Sequence, residues 1–340
     1  MPDVNKRLKS LAEQAAALPL TLLGLVLVTF LIGRVMPIDP VIAIVGDRAT
    51  QDVVERTRLE LGLDRPLYEQ FWRYLTDILS GNFGRSVMTS NLVLDDIGRF
   101  FPATIELATA ALLISLALGL PIGVMSAVRQ DSWLDRSVRI FCLAGHSLPT
   151  FVLALLALLF FYAKLGWFPP SGRQSLLFDG EVPVRTGMMT IDALLNGDIP
   201  AFQDALHHLA LPAMVLGYFS LAYIARMTRA FMLEQLRSEY VTTARVKGLS
   251  ETRVIWRHAF GNISVPLITV VALTYAGLLE GAVLTETIFS WPGLGQYLTV
   301  SLLNADMNAV LGATLVVGLI YLVLNLLADA LYKLLDPRVR

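Results

Sequence analysis

Six stretches of this chain, residues 14–33, 107–128, 140–163, 205–225, 258–279 and 307–328, contain no Asp, Glu, Lys or Arg. A helix of about 20 apolar residues crosses a ~30 Å hydrocarbon core, so the pattern predicts about six transmembrane helices. A seventh uncharged stretch, 287–305, holds Trp291-Pro292-Gly293-Leu294-Gly295, Gln296 and Asn304. Proline and glycine there interrupt a spanning helix, and the stretch reads as an extracytoplasmic turn with a short helix. The first window outruns the core of a signal peptide, and Arg34-Val35-Met36-Pro37 replaces a small-residue cleavage site. It is expected to stay in the mature protein.

The polar segments between windows carry the orientation. Lys6, Arg7 and Lys9 precede the first window, and Arg129, Arg136 and Arg139 separate the second from the third. Arg237, Arg245, Lys247, Arg253 and Arg257 lie between the fourth and fifth, and Lys333, Arg338 and Arg340 follow the sixth. Of the alternate loops, the segment between the fifth and sixth windows has no Lys or Arg from 287 to 307, and the first, 37–100, has seven Arg but as a long loop is a weak voter; the positive-inside rule therefore puts both termini in the cytoplasm.

Two of these segments have helical patterning of their own. In 37–100, Leu67, Phe71, Leu75, Ile78 and Leu79 recur at helical spacing behind Pro66, read as a first-turn proline, and Gly81-Asn82-Phe83-Gly84 closes the run. This is a surface amphipathic helix, a docking surface for an external partner, or both. In 234–262, Tyr240, Val241 and Ala244 share one helical face, Gly248 can supply a left-handed cap, and Ser250 can N-cap a second helix with Glu251 in its first turn. The product is a helix–turn–helix knob with small residues on its contact surface. A basic loop bound to anionic lipid is the alternative. The chain therefore divides into 1–36 (cytoplasmic N-terminus and first span), 37–100 (extracytoplasmic helical insert) and 101–340 (five further spans with the loop 234–262).

Composition agrees with a membrane protein. The chain of 340 residues is 55% hydrophobic and 16% charged, with a mean hydropathy of +0.61, against roughly 25% charged in soluble domains. A net charge of −1 gives no reason to expect nucleic acid. Cys142 is the single cysteine, so no disulfide forms within the chain.

An ionisable group at membrane depth is a functional candidate by default. Asp329 and Lys333 are four residues apart and can pair; Arg226 and Arg229 can snorkel to the cytoplasmic interface; Glu106 can favour the N-terminal end of the second span. Glu280, inside the fifth span, either faces a translocation pathway and attracts a cationic group or is satisfied by a neighbouring helix or water. His207 and His208 are adjacent and point about 100° apart on a helix, which suits one metal ion poorly; no metal or catalytic site is expected. No Gly-x-x-x-x-Gly-Lys-Ser/Thr phosphate loop occurs.

Thr242-Thr243-Ala244-x-x-x-Gly248 falls where ABC importer permeases carry Glu-Ala-Ala-x-x-x-Gly, with Arg257-His258-Ala259 and Pro266 beyond. Leu61-Gly62-Leu63-Asp64-Arg65-Pro66-Leu67, Gly84-x-Ser86, Phe101-Pro102-Ala103-Thr104, His208-Leu209-x-Leu211-Pro212, Glu286 to Gly295 and the terminal Asp336-Pro337-Arg338 fit the same pattern in order. The chain resembles the dipeptide/oligopeptide/nickel branch of these permeases, and Thr186-Gly187 to Asp192, with Gly197, is similar to its dipeptide type. The resemblance implies an all-α permease of the type I importer fold in a bacterial inner membrane. It implies import of dipeptides, oligopeptides or similar solutes, or alternatively nickel, metal chelates or opine-like solutes. The partners implied are two ATPase subunits holding ATP and Mg, a second related permease, an extracytoplasmic solute-binding protein and membrane lipid. Tyr240, Thr242, Thr243, Ala244, Lys247, Gly248 and Leu249 become the coupling residues, and Glu280 a candidate for the pathway. Two rivals are an ion-coupled secondary transporter, for which no internal repeat is evident, and an intramembrane enzyme, for which no His-Glu-x-x-His or Gly-x-Ser-x-Gly run occurs.

Overall fold

The structure, a computed structural model, describes residues 19–34, 40–46, 48–60 and 62–335. Leu61 and the Asp336-Pro337-Arg338 end of the expected pattern lie outside these residues, as do the side chains of Asp329 and Lys333. Among the described residues the chain is helical, without a named strand. Its elements are α1 (Pro19–Arg34), α2 (Pro40–Val45), α3 (Gln51–Glu60), α4 (Leu67–Leu79), α5 (Val93–Val128), α6 (Trp133–Ser147) and α7 (Thr150–Ala157). After these come α8 (Met189–Leu195), α9 (Ile199–Leu236), α10 (Glu239–Val246), α11 (Glu251–Arg253), α12 (Phe260–Ile288), α13 (Leu294–Leu303) and α14 (Met307–Leu335).

Among the described residues, four helices, against the six expected, are long and apolar enough to cross a membrane: α5, α9, the rod Glu251–Ile288 formed by α11 and α12 through a π turn, and α14 over Met307–Leu327. The window 140–163 departs from a straight span. Its two halves, Trp133–Gly145 and Thr150–Lys164, are bent by 103°, because Leu148 is extended and Pro149 caps α7; a residue before proline is held away from the helical region. The first window is described only from Pro19. Prolines 121, 212 and 266, by contrast, sit inside continuous helices.

The chain forms two compact units, Met1–Arg99 with Tyr297–Ile320, and Phe100–Gln296 with Tyr321–Arg340. In the first, Phe30 of α1 meets Phe71 and Tyr74 of α4 at ring-centroid distances of 5.4 and 5.7 Å, so the amphipathic face of α4 is partly satisfied within the unit. Pro66 is the N-cap residue, one position ahead of the first turn expected of it. Gln70 donates to the carbonyls of Leu63 and Arg65 and fixes the loop before α4. Two buried carboxylates organise the rest. Asp306 accepts from Ser86 Oγ (2.5 Å) and the Met88 amide (3.2 Å), and Asp96 accepts from Thr89, Asn91 and Tyr297. Burial, then the Asp96 carboxylate, pushes the Tyr297 hydroxyl well above its ordinary value.

The core of the second unit is where α5, α9 and α12 meet, around Leu107, Ala111, Leu209, Ala213, Leu278 and Trp291. Ala111, Ser115, Gly119 and Gly123 recur every fourth residue on α5. A Cβ on Gly123 would lie 2.6 Å from the Ala225 carbonyl, and one on Gly217 would lie 2.8 Å from the Ala111 carbonyl. Small residues let membrane helices approach this closely, and Ser115 uses the approach to donate to Gly217 O at 2.8 Å.

Beyond α12 the chain turns at 289–293 into α13, as the Pro/Gly content predicts. The turn is built on Glu286, which is fully buried and accepts from Thr104 Oγ1 (2.7 Å) and the Gln296 amide (3.0 Å). Thr104 Oγ1 in turn accepts from the Leu294 amide, and the Trp291 indole donates to the Ala103 carbonyl. The carboxylate occupies the space a side chain would need: a Cβ on Gly293 would stand 2.5 Å from Glu286 Oε2, and one on Gly295 2.9 Å from it.

Candidate functional site

The loop 234–262 folds as the pattern predicts, with one reversal. The helix α10 ends at Val246, and Gly248 takes φ +76°, a conformation glycine adopts without a Cβ penalty. Ser250 holds the N-cap position of α11, but its carbonyl rather than its side chain accepts from Arg253 and Val254. Val241 and Ala244 do share a face, but that face points inward onto Val254, with Tyr240 and Leu249 half-buried beside it. The small residues are thus the core of the knob, not its contact surface. Two hydrophobic segments this short can hide only one face, and they hide it against each other. The outward surface consists of Thr242, Thr243, Arg245, Val246, Lys247 and Gly248, with Val246 83% exposed. Arg245 and Glu251 clasp the two halves at 2.8 and 3.1 Å across exposed surface, and Tyr240 donates to Gln235 Oε1 at 2.9 Å.

Behind the knob, the end of α9 is held on two sides. Met232 packs with Val124 and Ala127 of α5 and with Ala259 and Ile263 of the rod. Arg229 does not snorkel: its guanidinium donates Nε and Nη2 to the two oxygens of the fully buried Asp135 at 2.7 and 2.8 Å. Ser126 Oγ and the Asp131 amide also donate to that carboxylate. Sequence reasoning did not single out Asp135, which is 94 residues from its partner and sits in the first turn of α6, an ordinary place for an acid.

Glu106 also differs from expectation. Since α5 begins at Val93, Glu106 lies within the helix and serves another one: it accepts from the amides of Met189 (3.2 Å) and Thr190 (2.7 Å) and from Thr190 Oγ1 (2.6 Å), capping α8. Asp192 of α8 accepts from the Thr186 amide and hydroxyl and the Gly187 amide at 2.7–3.0 Å. Burial raises its carboxyl, but these donors outweigh burial and hold it below the usual carboxylate range. Of the histidines, His207 donates to the Trp167 carbonyl at 2.6 Å and His208 to the Asp204 carbonyl at 2.9 Å.

A cavity of about 490 Å³ opens between α7, α9 and α12. Its wall is apolar, from Leu216, Phe219, Leu273 and Leu278, interrupted by Thr150, Ser220, Tyr223, Thr274 and Arg226. Gly277 and Gly281 lie along it with open space where a Cβ would point. Glu280 is exposed and is not among the lining residues, although its sequence neighbour Gly281 is. The charged side chain in the wall is Arg226.

Comparison with known proteins places this architecture. The family described as binding-protein-dependent transport system inner membrane component matches residues 119–340, and its N-terminal counterpart matches residues 8–108. The chain is 43% identical over 97% of its length, and 96% of the other's, to the probable D,D-dipeptide transport system permease protein DdpB of Escherichia coli (strain K12). It is also 43% identical over 98% of its length, and 99% of the other's, to the di/tripeptide transport system permease protein DppB of Pseudomonas aeruginosa (strain UCBPP-PA14). A solved structure of the MetNI methionine ABC transporter, inward facing, matches with a TM-score of 0.50 at 16% identity, covering 69% of this chain and 93% of that one; at that identity the likeness is one of fold. This all-α, multi-pass chain belongs to the binding-protein-dependent transport system inner membrane components, as a permease subunit of an ABC importer.

Proposed function

We propose that this permease carries dipeptides or short oligopeptides into the cell, powered by ATP hydrolysis on two separate ATPase subunits that bind ATP and Mg. The near full-length similarity to dipeptide permeases carries this reading. The termini and the knob 234–262 face the cytoplasm, and the insert 37–100 and the α12–α13 turn face outward, toward a solute-binding protein. A second, related permease completes the pathway. Thr242, Thr243, Lys247 and Gly248 meet the ATPase directly. Tyr240, Ala244 and Leu249 act from beneath, as the packing that keeps the knob rigid. Because α11 runs without interruption into α12, a push on the knob displaces a membrane rod rather than a loop, and packed helices shift between discrete arrangements.

The test is a gentle-detergent purification of the chain from its own membrane, with mass spectrometry and an ATPase assay. Co-purifying ATPases and a second permease, with hydrolysis stimulated by a peptide-loaded binding protein, are the expected result. A chain that stays alone under mild cross-linking, and moves solute with an ion gradient instead, would make it a secondary transporter.

A further inference from the structure

We infer that α4 lies in the outer headgroup layer of the membrane, with Tyr68, Trp72 and Leu79 turned into the lipid. The inference rests on the outward placing of the insert proposed above, and on nothing about the solute. The 13 residues of α4 divide into an apolar and a polar half around the helix. The apolar half has two sides. On one, Phe71 and Tyr74 pack on Phe30 of α1. On the other, Tyr68, Trp72, Leu75 and Leu79 recur every three or four residues, and Tyr68, Trp72 and Leu79 are 65%, 60% and 78% exposed. Glu69, Arg73, Thr76 and Asp77 make the polar half. An apolar arc wider than the packing beneath it, backed by a charged face, is the pattern of a helix lying in an interface. Tyrosine and tryptophan are enriched at that depth, because the ring is apolar while the O–H or N–H reaches water.

Two membrane helices fix the depth of α4 independently of its composition. The helix α1 holds the described part of the first charge-free window, and α14 is long enough to cross. They run antiparallel: a Cβ on Gly318 would lie 2.5 Å from Leu25, and one on Gly33 2.8 Å from Leu311. The end of α1 at Arg34 and the start of α14 at Met307 therefore stand at one level, the outer boundary of the apolar layer. Contact with α4 is made below that level, not above it. Phe30 is four residues inside Arg34, or about 6 Å along the helix, and the Tyr74 hydroxyl is 3.4 Å from Thr29 Oγ1, one residue deeper. Further along α4, Tyr74 and Ile78 face Leu311 and Gly312 of α14 across a small cleft. The turn that follows is tied to the start of α14, with Asn308 donating to the Arg85 carbonyl at 3.0 Å. A helix held to the sides of two membrane helices near their outer ends has its free apolar side at headgroup depth, where lipid meets it. The polar half sets Arg73 against Glu69 and Asp77, so apolar burial, and not attraction to anionic lipid, drives the insertion.

The inference is tested by spin-label accessibility in the assembled transporter, reconstituted in vesicles of zwitterionic phosphatidylcholine alone. Cys142→Ser removes the sole cysteine. Trp72→Cys, Leu79→Cys and Thr76→Cys then each take a nitroxide, and Tyr68→Cys serves if Trp72→Cys fails to assemble. Oxygen concentrates in lipid, and a neutral nickel chelate stays in water. At positions 72 and 79 the collision rate with oxygen should exceed that with the chelate at least about threefold, because an interfacial helix buries its apolar face about 5–10 Å into the boundary. At position 76 the chelate should lead. Adding a peptide-loaded binding protein should leave the ratios at 72 and 79 unchanged. Chelate access ahead of oxygen at 72 and 79 overturns the inference, because the stripe then faces water. Low access to both reagents overturns it in favour of a covering protein, the second permease. Loss of access only when the binding protein is added overturns it too, and assigns the stripe to that partner. Vesicles of the unaltered transporter that take up no peptide, with the expected ratios kept in the labelled variants, strike the importer reading and leave the depth of α4 standing.

Discussion

The α12–α13 turn and the knob α10–α11 stand at opposite ends of the same rod, yet they are held together in opposite ways. The turn is organised from inside by the fully buried Glu286, whose carboxylate draws in Thr104 and Gln296 and leaves no room for side chains at Gly293 and Gly295. The knob has no buried charge. Its core is Val241, Ala244 and Val254, and its one ion pair, Arg245–Glu251, is exposed on both sides and contributes little in water. A carboxylate network with one arrangement suits a part that must stay put. A small apolar hinge under a polar surface suits a part that finishes its packing against another protein.

The largest effect should come from removing the organising acid. Glu286→Ala leaves the Thr104 hydroxyl and the Gln296 amide without their acceptor and should cost about 2–4 kcal/mol, with loss of uptake. Gly293→Ala should cost about 1–3 kcal/mol by overpacking. Thermal unfolding in detergent measures both, and a wild-type midpoint in Glu286→Ala would show that the turn does not depend on its carboxylate. Next comes the clamp behind the knob. Arg229→Ala leaves a buried Asp135 with Ser126 and the Asp131 amide as its remaining hydrogen-bond donors and should destabilise by about 2–3 kcal/mol, whereas the double variant with Asp135→Ala should recover part of that loss. If the two single losses simply add, the pair is not a unit.

The knob should respond the other way. Gly248→Trp carries only the strain of a positive φ, about 1 kcal/mol, since nothing in the chain lies within 4 Å of a Cβ there. It should insert and unfold almost like wild type but lose ATP-driven uptake, because the added ring projects from the proposed docking surface. Normal uptake in proteoliposomes would remove Gly248 from the interface with the ATPase.

How far these contrasts could be read from sequence follows from their range. Four of the six expected spans, and the α13 turn, were legible because charge-free length and Pro/Gly placement depend only on local chain and membrane thickness. The left-handed Gly248 was legible for the same reason. Which side of α10 turns inward was not, since Val241 and Ala244 share a face whether it meets Val254 or a partner. The Asp135–Arg229 pair joins residues 94 apart with no period to betray it, and Glu106 was assigned to its own helix because nothing local pointed to α8. The four-residue recurrence of Ala111, Ser115, Gly119 and Gly123 was open to inspection and is the signal that would have paired α5 with α9.

Asp192 tests how far the buried-acid principle extends, because its donors come from neighbouring loop backbone and a threonine rather than from a distant helix. Its carboxyl is held below the usual range, so the ionised form is favoured by the folded loop. The resulting stabilisation is fully present above the unfolded value near 4 and disappears as pH falls through the lower folded value. Hydrogen exchange of residues 183–197, corrected for intrinsic rates, should therefore be flat from pH 7 to about 5 in wild type and rise below about 4. Asp192→Asn should be a few-fold less protected at pH 7 and should lose most of that acid dependence. A variant that keeps the full acid transition would assign it to another group, and Glu106, which caps the same helix, would be the next residue to replace. A flat response in both proteins would confine the organising role to Glu286, where the acid bridges α5 and α12 and closes contacts far apart in sequence rather than local ones.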